Sequence, residues 1–569
     1  MDLETLRHST SHILAAAVKN LYPEVKFGIG PAIENGFYYD FGGLKISDDD
    51  LPQIEKEMQK IISTKLPFVR KEISVGEGRN LFKDQKYKLE LINELAADNN
   101  LRFTIYELNG FVDLCKGPHV KNTSAIKTFK LTHIAGAYWK GDEKNPMLTR
   151  IYGTAFLTQK ELNHYLWQQE EAKKRDHRKI GKELKLFSFH DEAAGEAFFH
   201  PKGWIVFNIL VDFWREVHQK NGYQEIRTPV LLNAELWKRS GHYQMKYPMY
   251  YTEIEGIEWG IKPMNCPGGM LIYNEEIHSY KELPLRVGEL GLVHRHELSG
   301  VLHGLMRVRE FTQDDAHIYC TPEQLKDELK NIIKLCDEIY SVFGLPYHIE
   351  FSTRPEKSVG TDEAWQLSEK LMQEVLNEEK IDFKLNPGDG AFYGPKFDFH
   401  LEDSLGRTWQ CGTIQVDFNL PERFDLTYID EEGQKKRPVM IHRTIYGSLE
   451  RFIGILTEHF AGAFPVWLSP VQVVVIPIAE RHTGYAKKIE LRMRNEGIRV
   501  EVDERDETMQ AKIRDAQLQK VPYMLIVGDK EEKAKTVSER GRFGKDYGQI
   551  KIEEFIANIK KEIEDKIIN

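Results

Sequence analysis

The stretch GLVHRHELSGVLHGLMRVREFTQDDAHIYC, residues 291–320, decides how the rest of the chain is read. Two apolar, β-prone runs flank a loop containing Ser299 and Gly300, which is the pattern of a long hairpin. Its charges are too dense for a hairpin that faces water. Arg295, Glu297, His303, Arg307, Arg309 and Glu310 come first, followed by Phe311, Gln313, Asp314, Asp315 and His317. A solvated hairpin alternates polar with apolar residues, whereas this one carries cations, carboxylates and an aromatic on both arms. That mixture suits a nucleotide and its metal.

Outward from the hairpin, the 569 residues are too many for one core, and three or four domains are expected. A hydrophobic share of 41% with mixed charges describes a soluble globular chain. It contains no run of about 18 apolar residues, which argues against a membrane span. The first residues, MDLETLRHST, lack a charged-then-apolar signal segment, so a cytoplasmic location is expected. Cys115, Cys266, Cys320, Cys336 and Cys411 are few, odd in number and widely spaced. They do not form a disulfide framework, and a functional one would be a metal ligand or a reactive thiol. The net charge of −10 argues against a surface that is wholly a nucleic-acid magnet, but local basic faces would suffice for phosphate contacts.

Residues 1–155 combine a helix over Glu4–Leu21 with Gly-rich, strand-like pieces such as FGIGPAIENGFYYDF (27–41), and read as an α+β domain. Residues 156–189 show helical periodicity with few breakers, so one connecting helix is expected. Within Lys173–Lys185 seven of thirteen residues are Lys or Arg, which is either a solvated helix face or a phosphate-contacting linker. Residues 190–465 alternate helices with strand-like segments such as TWQCGTIQVDF (408–418) and VMIHRTIYG (439–447), which favours an antiparallel α+β sheet. From 466 to 569 the apolar strands VQVVVIPI, IRVEVDE and PYMLIVG are separated by helical stretches, Tyr485–Asn495 and Met509–Lys520. That is a small α/β domain with a parallel or mixed sheet. The segment 528–546, with six basic and five acidic residues, reads by itself as a solvated loop.

Cys266, His317 and His442 lie far apart in sequence, so spacing leaves two readings open: a metal site, or core residues with satisfied hydrogen bonds. His8 and His12, at i and i+4, share a helix face, and DLCKGPH (113–119) adds Cys115 and His119. This set reads as a second zinc site or as histidines on a packed face.

The RHE at 295–297, the return arm to Phe311 and GSLERFIGILTEHF (447–460) resemble the second and third signature motifs of class II aminoacyl-tRNA synthetases. IRTPVLLNAELWKRSGHY (226–243) resembles the first motif, which implies a homodimer through the catalytic domain. MNCPG, FTQDDAHIYC and IHRTIYGSLERFIG together are similar to the threonyl-tRNA synthetase family, over nearly the whole chain. The resemblance implies that Cys266, His317 and His442 hold one zinc ion per subunit, and three protein ligands would leave an open position for L-threonine. A metal that demands an oxygen ligand rejects valine, which a merely apolar pocket would not. Asp315 would accept the threonine hydroxyl proton, and Gln313, Tyr393, Gln410 and Gln415 match residues lining the family's pocket. For ATP, with Mg²⁺ as counter-ion, Arg295 would clamp the α-phosphate and Arg307 would lie near the outer phosphates. Glu297 would accept from the adenine amino group, with Phe311 and Arg451 on either side of the base. His242 is similar to a histidine proposed to act near the ribose of the tRNA end, and Gly269 departs from a histidine common in the family.

The N-terminal domain resembles the editing domain shared by threonyl- and alanyl-type synthetases. Serine keeps the hydroxyl and lacks one methyl, a difference worth only about 1–3 kcal/mol, and synthetases are that principle's own illustration. The resemblance implies that His8, His12, Asp113, Cys115 and His119, with Lys88, position a hydrolytic water and the end of seryl-tRNA(Thr). It also implies an anticodon-binding C-terminal domain in which Glu531 and Arg540 read bases of tRNA(Thr). The chain begins at the editing helix, where the family often has a further small domain. A non-ligase paralogue that binds tRNA or regulates is the second reading, but such proteins would be expected to lose Arg295, Arg451 or a zinc ligand, and all are present.

Overall fold

The computed structural model describes residues 2–96, 102–108 and 110–568. The chain divides into two compact units, Met1–Glu171 and Ala172–Asn569. In the first, α1 (Leu3–Leu21) starts where the Asp2 carboxylate accepts from the Thr5 amide at 2.7 Å, an N-cap that offsets one orphan donor. Residues Leu6, Ile13, Leu14 and Val18 are fully buried, packed against β1 (Gly36–Gly42) and α2 (Leu51–Ser63). A small antiparallel sheet of β2 (Val69–Ser74), β3 (Arg102–Leu108) and β4 (Phe111–Leu114) flanks α3 (Lys86–Leu95). The long strands β5 (Thr128–Tyr138) and β6 (Met147–Phe156) extend the sheet that begins with β1.

The single connecting helix expected over 156–189 is two. α4 (Gln159–Lys174) ends before Arg175, and α5 (His177–Glu183) restarts after Asp176, whose carboxylate accepts from the Arg178 amide at 2.8 Å. Helical periodicity passes through this break unseen, because the capping residue interrupts the backbone without disturbing the pattern of side chains.

The second unit is built on an eight-stranded sheet. α6 (Pro201–Lys220), β7 (Gln224–Glu225), α7 (Ala234–Ser240) and α8 (Cys266–Tyr273) lead to the arms of the central hairpin, β8 (Leu285–His294) and β9 (Glu310–Cys320). These arms pair antiparallel over ten residues, from Leu285 opposite Tyr319 to His294 opposite Glu310. After α9 (Leu325–Val342) come β10 (Tyr347–Ser352), β11 (Phe383–Asn386), β12 (Lys396–Glu402), β13 (Thr408–Asp417) and β14 (Val439–Thr444), then α10 (Leu449–His459). The order across the sheet is β7-β8-β9-β14-β13-β12-β10-β11. It is antiparallel, as expected, except at its two edges, where β7 runs parallel to β8 and β11 to β10.

One face of this sheet is core. Leu329, Ile332, Cys336 and Ile339 of α9 and Phe452, Ile455 and Leu456 of α10 pack beneath Ile318, Ile414 and Ile441. Each such side chain contributes about 1.5–3 kcal/mol by leaving water. That burial fixes which face of β9, β13 and β14 is left for chemistry.

The C-terminal part is a five-stranded mixed sheet, β16-β15-β17-β18-β19, formed by β15 (Val473–Pro477), β16 (Val500–Val502), β17 (Tyr523–Val527), β18 (Thr536–Gly541) and β19 (Asp546–Lys551). The first three are parallel, joined through α11 (Thr483–Asn495) and α12 (Met509–Leu518), and the last two add antiparallel. The reading of 528–546 as a solvated loop is therefore corrected. Asp529–Ala534 is helical and Thr536–Gly541 is β18, held by pairing to β17 that no local charge pattern announces.

Candidate active site

Register places the candidate metal ligands side by side. His317 of β9 lies opposite His442 of β14, which lies opposite Gln415 of β13, so three strands contribute one row. Cys266, the first residue of α8, joins them, and one donor atom from each of Cys266, His317 and His442 lies within 4.8 Å of the others. All three side chains are buried. His442 Nε2–H donates to Asp417 Oδ2 at 3.0 Å, which leaves its Nδ1 lone pair free for a ligand. His317 Nε2 has no hydrogen-bond partner among the described residues although it is buried. Burial holds its proton affinity well below the usual imidazole range, so it is a neutral donor. Burial and the nearby Asp315 and Asp417 carboxylates push the Cys266 thiol well above its ordinary range, which only a cation would reverse. Two imidazoles and a sulfur with an orphaned nitrogen fit zinc. At Gly269 a Cβ would stand 3.7 Å from His317 Nδ1, so the glycine leaves ordinary contact space beside the ring.

A cavity of about 560 Å³ opens beside Cys266, His442 and Gln415. At its deep end Asp315 is buried, and its carboxyl is pushed up to about 7 by burial. Asn265 Nδ2 donates to it at 3.2 Å. Tyr393 stands 5.3 Å from the His442 ring, Gln415 Nε2 donates to Gly394 O at 3.2 Å, and Gln313 Oε1 is buried without a partner among the described residues. At the other end lie Arg295, Glu297, Arg307, Phe311 and Arg451. The Arg295 guanidinium sits 5.0 Å over the Phe311 ring, and Arg307 donates to Glu297 Oε2 at 2.9 and 3.0 Å. Arg451 Nη1 donates to Met306 O at 2.7 Å, and Ser448 caps its helix by accepting from the Arg451 amide at 3.2 Å. One guanidinium over an aromatic face, with two more lining the same cavity, makes an end suited to a base and its phosphates.

Three residues expected at this cavity, His317, Gln410 and His242, do not line it. Gln410 lies at a bulge in the β12–β13 pairing, between Asp398 and His400, and its side chain turns to donate to Asp398 Oδ1 at 2.7 Å. Thr413 and Gln415 of the same strand line the cavity instead. His242 is fully buried, with Nδ1 2.8 Å from Ser240 Oγ, and burial lowers it to about 3. Phe392, 5.5 Å from its ring, is the residue that faces the cavity. Sequence reasoning missed Tyr247, Met264, Lys396, Thr413 and Arg443 among the lining residues. Period-two spacing from Gln415 was a usable signal for Thr413, whereas Arg443 follows His442 on a strand buried on both faces and gave none.

In the first unit, one donor atom from each of His8, His12, Cys115 and His119 again lies within 4.8 Å of the rest. Cys115 Sγ is 3.2 Å from His8 Nε2 and 3.3 Å from His119 Nε2, and Ser9 Oγ is 3.1 Å from His119 Nδ1. Beneath them Asp113 and Lys88 form a buried ion pair, and the Tyr39 hydroxyl donates to Asp113 Oδ2 at 2.6 Å. Burial lowers all three histidines, His119 to about 2, and raises Cys115 to about 11. The cluster is therefore neutral imidazoles and a thiol beside one carboxylate, a set that can orient a water as readily as hold a cation.

In the C-terminal sheet Glu531 Oε2 accepts from the Gly528 amide at 2.9 Å, and Arg540 Nη2 donates to Asp546 at 2.9 Å. The hairpin between β18 and β19 exposes Phe543 at 79%, with the Arg542 guanidinium 5.7 Å from its ring.

Three family models match the chain. They describe a class II tRNA synthetase core domain (G, H, P, S and T) over residues 250–460, an anticodon-binding domain over 472–562, and the second additional domain of threonyl and alanyl tRNA synthetases over 103–152. A threonine–tRNA ligase of Clostridium tetani is 57% identical over 569 residues, 99% of this chain and 89% of that protein. One from Caldanaerobacter subterraneus is 58% identical over 565 residues, 99% of this chain and 87% of that protein. The solved RNA-binding domain of the threonyl-tRNA synthetase from Cryptosporidium parvum is similar at 41% identity with a TM-score of 0.66, over 68% of this chain and 98% of that one.

Proposed function

The chain belongs to the threonine–tRNA ligase family, and on that premise we propose how its residues divide the work. The enzyme joins threonine to tRNA at the expense of ATP, and it carries the editing domain of the family. The second reading, a non-ligase paralogue, is set aside because the relatives matched over 99% of the chain are ligases. Mg²⁺ would accompany the ATP as the counter-ion of its phosphates.

Cys266, His317 and His442 would hold a zinc ion, whose open position would supply a Lewis acid for the amino group and β-hydroxyl of threonine; valine brings the amino group but no hydroxyl to complete the set. The Asp315 carboxylate accepts the hydroxyl proton in hydrogen bonding, and Gln313, Tyr393 and Gln415 close the pocket around the side chain. Arg295 grips the α-phosphate with a planar fork, Arg307 leaves Glu297 for the outer phosphates, and Glu297 then accepts from the adenine amino group. Phe311 and Arg451 take the two faces of the base. Held so, a threonine carboxylate oxygen attacks the α-phosphorus, the bond to the bridging oxygen breaks, and pyrophosphate leaves with the electron pair. These residues align the attack and neutralise the charge that builds on the phosphate oxygens. A hydroxyl of the terminal ribose of tRNA(Thr) then attacks the threonyl carbonyl and releases AMP. A direct part for His242 in that step requires Phe392 to move aside.

The editing residues His8, His12, Cys115 and His119, with Lys88 and Asp113, would hold a water against the ester of seryl-tRNA(Thr). Glu531 and Arg540 would read the anticodon. We place the domain limits at residues 155, 189 and 465, the enzyme in the cytoplasm, and a homodimer interface on the catalytic domain. Exposed Leu231, Ile254 and Ile257 on a three-stranded sheet next to the first motif support that interface. No helix of the described residues is long and apolar enough to cross a membrane.

The observation that carries this reading is the row His317–His442–Gln415, whose His442 and Gln415 line a cavity that also gathers Arg295, Arg307 and Arg451. ATP–pyrophosphate exchange scanned over threonine, serine and valine tests it. Exchange should be strong with threonine, weaker with serine and negligible with valine. Equal exchange with valine would count against the metal-centred pocket.

A further inference from the structure

The buried imidazole of His177 joins two parts of the ATP end of the cavity. It stands at the start of α5 and is 0% exposed. Nδ1–H donates to Glu458 Oε1 at 2.7 Å, and Nε2 accepts the backbone N–H of Leu305 at 3.0 Å, so a single neutral tautomer satisfies both partners. The His177 amide also donates to Glu458 Oε1, at 3.1 Å. Glu458 belongs to α10, the helix that carries Arg451, and Arg407 holds its other oxygen at 2.7 Å.

On the other side, Leu305 and Met306 line the cavity, and Met306 O is the acceptor for Arg451 Nη1. The loop comes close to the ring. Gly304 has φ +49°, and a Cβ there would fall 2.2 Å from His177 Nε2. Loop, imidazole and helix therefore form a closed circuit: His177 to Leu305, Met306 to Arg451, and α10 back through Glu458 to His177. A histidine satisfied by chance in a packed core would have no reason to bridge these two segments.

We propose that His177 is a positioning residue for ATP. It clips residues 304–306 to α10, so that Arg451 and the cavity wall are set before the nucleotide arrives. This rests on reading the cavity as the ATP site. The side chain touches neither substrate and acts through the Leu305 backbone and Glu458.

The test is ATP–pyrophosphate exchange on the full-length enzyme with H177A, H177N and H177Q. Alanine removes both bonds, and losing one buried backbone contact should raise KM for ATP about tenfold. KM for threonine, and kcat at saturating ATP, should change by less than about twofold. Glutamine places its amide oxygen near the Nε2 position and keeps an acceptor for Leu305, so it should restore most of the ATP affinity. Asparagine places its amide nitrogen near Nδ1, keeps only Glu458, and should behave like alanine. G304A, which drives a methyl group toward the ring, should raise KM for ATP with His177 intact. If H177N and H177Q were equal, or if every variant lowered kcat and weakened both substrates together, the clip would be overturned. Should H177A fail to fold, the asparagine and glutamine pair still decides, since each keeps one bond. R295A and R451A serve as controls: unchanged ATP dependence in those would overturn the reading of the cavity and the ATP role of the clip with it, whereas raised KM for ATP there beside unaltered His177 variants would overturn the clip alone.

Discussion

Replacing Lys88 by methionine tests the electrostatics of the N-terminal unit. The Lys88 and Asp113 side chains are 3% and 2% exposed, and they touch. At contact distance and an effective dielectric of about 20, two unit charges attract by about 5 kcal/mol. Most of that attraction only offsets taking both ions out of water, so the pair as a whole adds little to stability. Removing the cation alone is different. Asp113 is then a buried carboxylate with the Tyr39 hydroxyl as its remaining close donor and His12 Nε2 at 3.7 Å. His12 is a poor substitute cation, because burial, the largest cause, holds its proton affinity well below the usual range even without the Lys88 charge. The expected cost is about 3–5 kcal/mol. Hydrogen exchange read by mass spectrometry gives this locally: amides of α1 and β4 in K88M should exchange roughly a hundredfold to several thousandfold faster, with the C-terminal sheet unchanged. The double variant K88M/D113L, which removes both charges, should return to within about 1 kcal/mol of wild type while still failing to clear seryl-tRNA. K88M exchanging like wild type, or a double variant no more protected than the single one, would show that the buried Asp113 charge does not depend on Lys88.

Other outcomes follow from the same structure. C266S should lose the zinc measured by elemental analysis, and threonine-over-valine selectivity with it; a variant retaining both would remove the metal from the specificity argument. H8A/H12A should charge threonine normally and accumulate seryl-tRNA, and unimpaired clearance would separate this cluster from editing. For His242, burial lowers the folded value to about 3 from 6.5. The unfolded chain therefore takes up the proton first, and stability is full above pH 6.5 and falls toward pH 3, by about 1.4 kcal/mol for each pH unit. H242N should flatten that slope in urea titrations, and an unaltered slope would show that His242 is protonated as easily folded as unfolded.

Much of this arrangement was legible in the sequence because its determinants are periodic. The hairpin 291–320 announced both arms, and alternate residues of the second arm carry the chemistry. His8 and His12 declared a shared helix face. What could not be read were consequences of register and of single capping residues. His317, His442 and Gln415 meet only because three strands align, a fact spread over more than a hundred residues of sequence. The bulge that turns Gln410 to Asp398 shifts one side chain without leaving a mark in composition. Asp176 breaks a helix by capping its successor, and the acidic and basic run at 528–546 becomes a helix and a strand because β17 offers an unpaired edge. His177 is polar and lies within a basic run, so its complete burial is visible only once α5 and α10 pack together.

The two faces of β9 have a consequence for how such a site can change. Phe311, Gln313, Asp315 and His317 point one way, while Asp314, Ala316 and Ile318 point the other; there Asp314 accepts the amides of Ile445, Tyr446 and Gly447, and Ile318 enters the core. Deleting a single residue between Phe311 and His317 would exchange part of one set with the other, placing a ligand in the core and an aliphatic chain in the pocket. Such an arm can drift by substitution but not by length. Insertions and deletions should therefore accumulate in the turn at 298–303 and be absent from 311–317, and new amino-acid specificities on this scaffold must arise one side chain at a time.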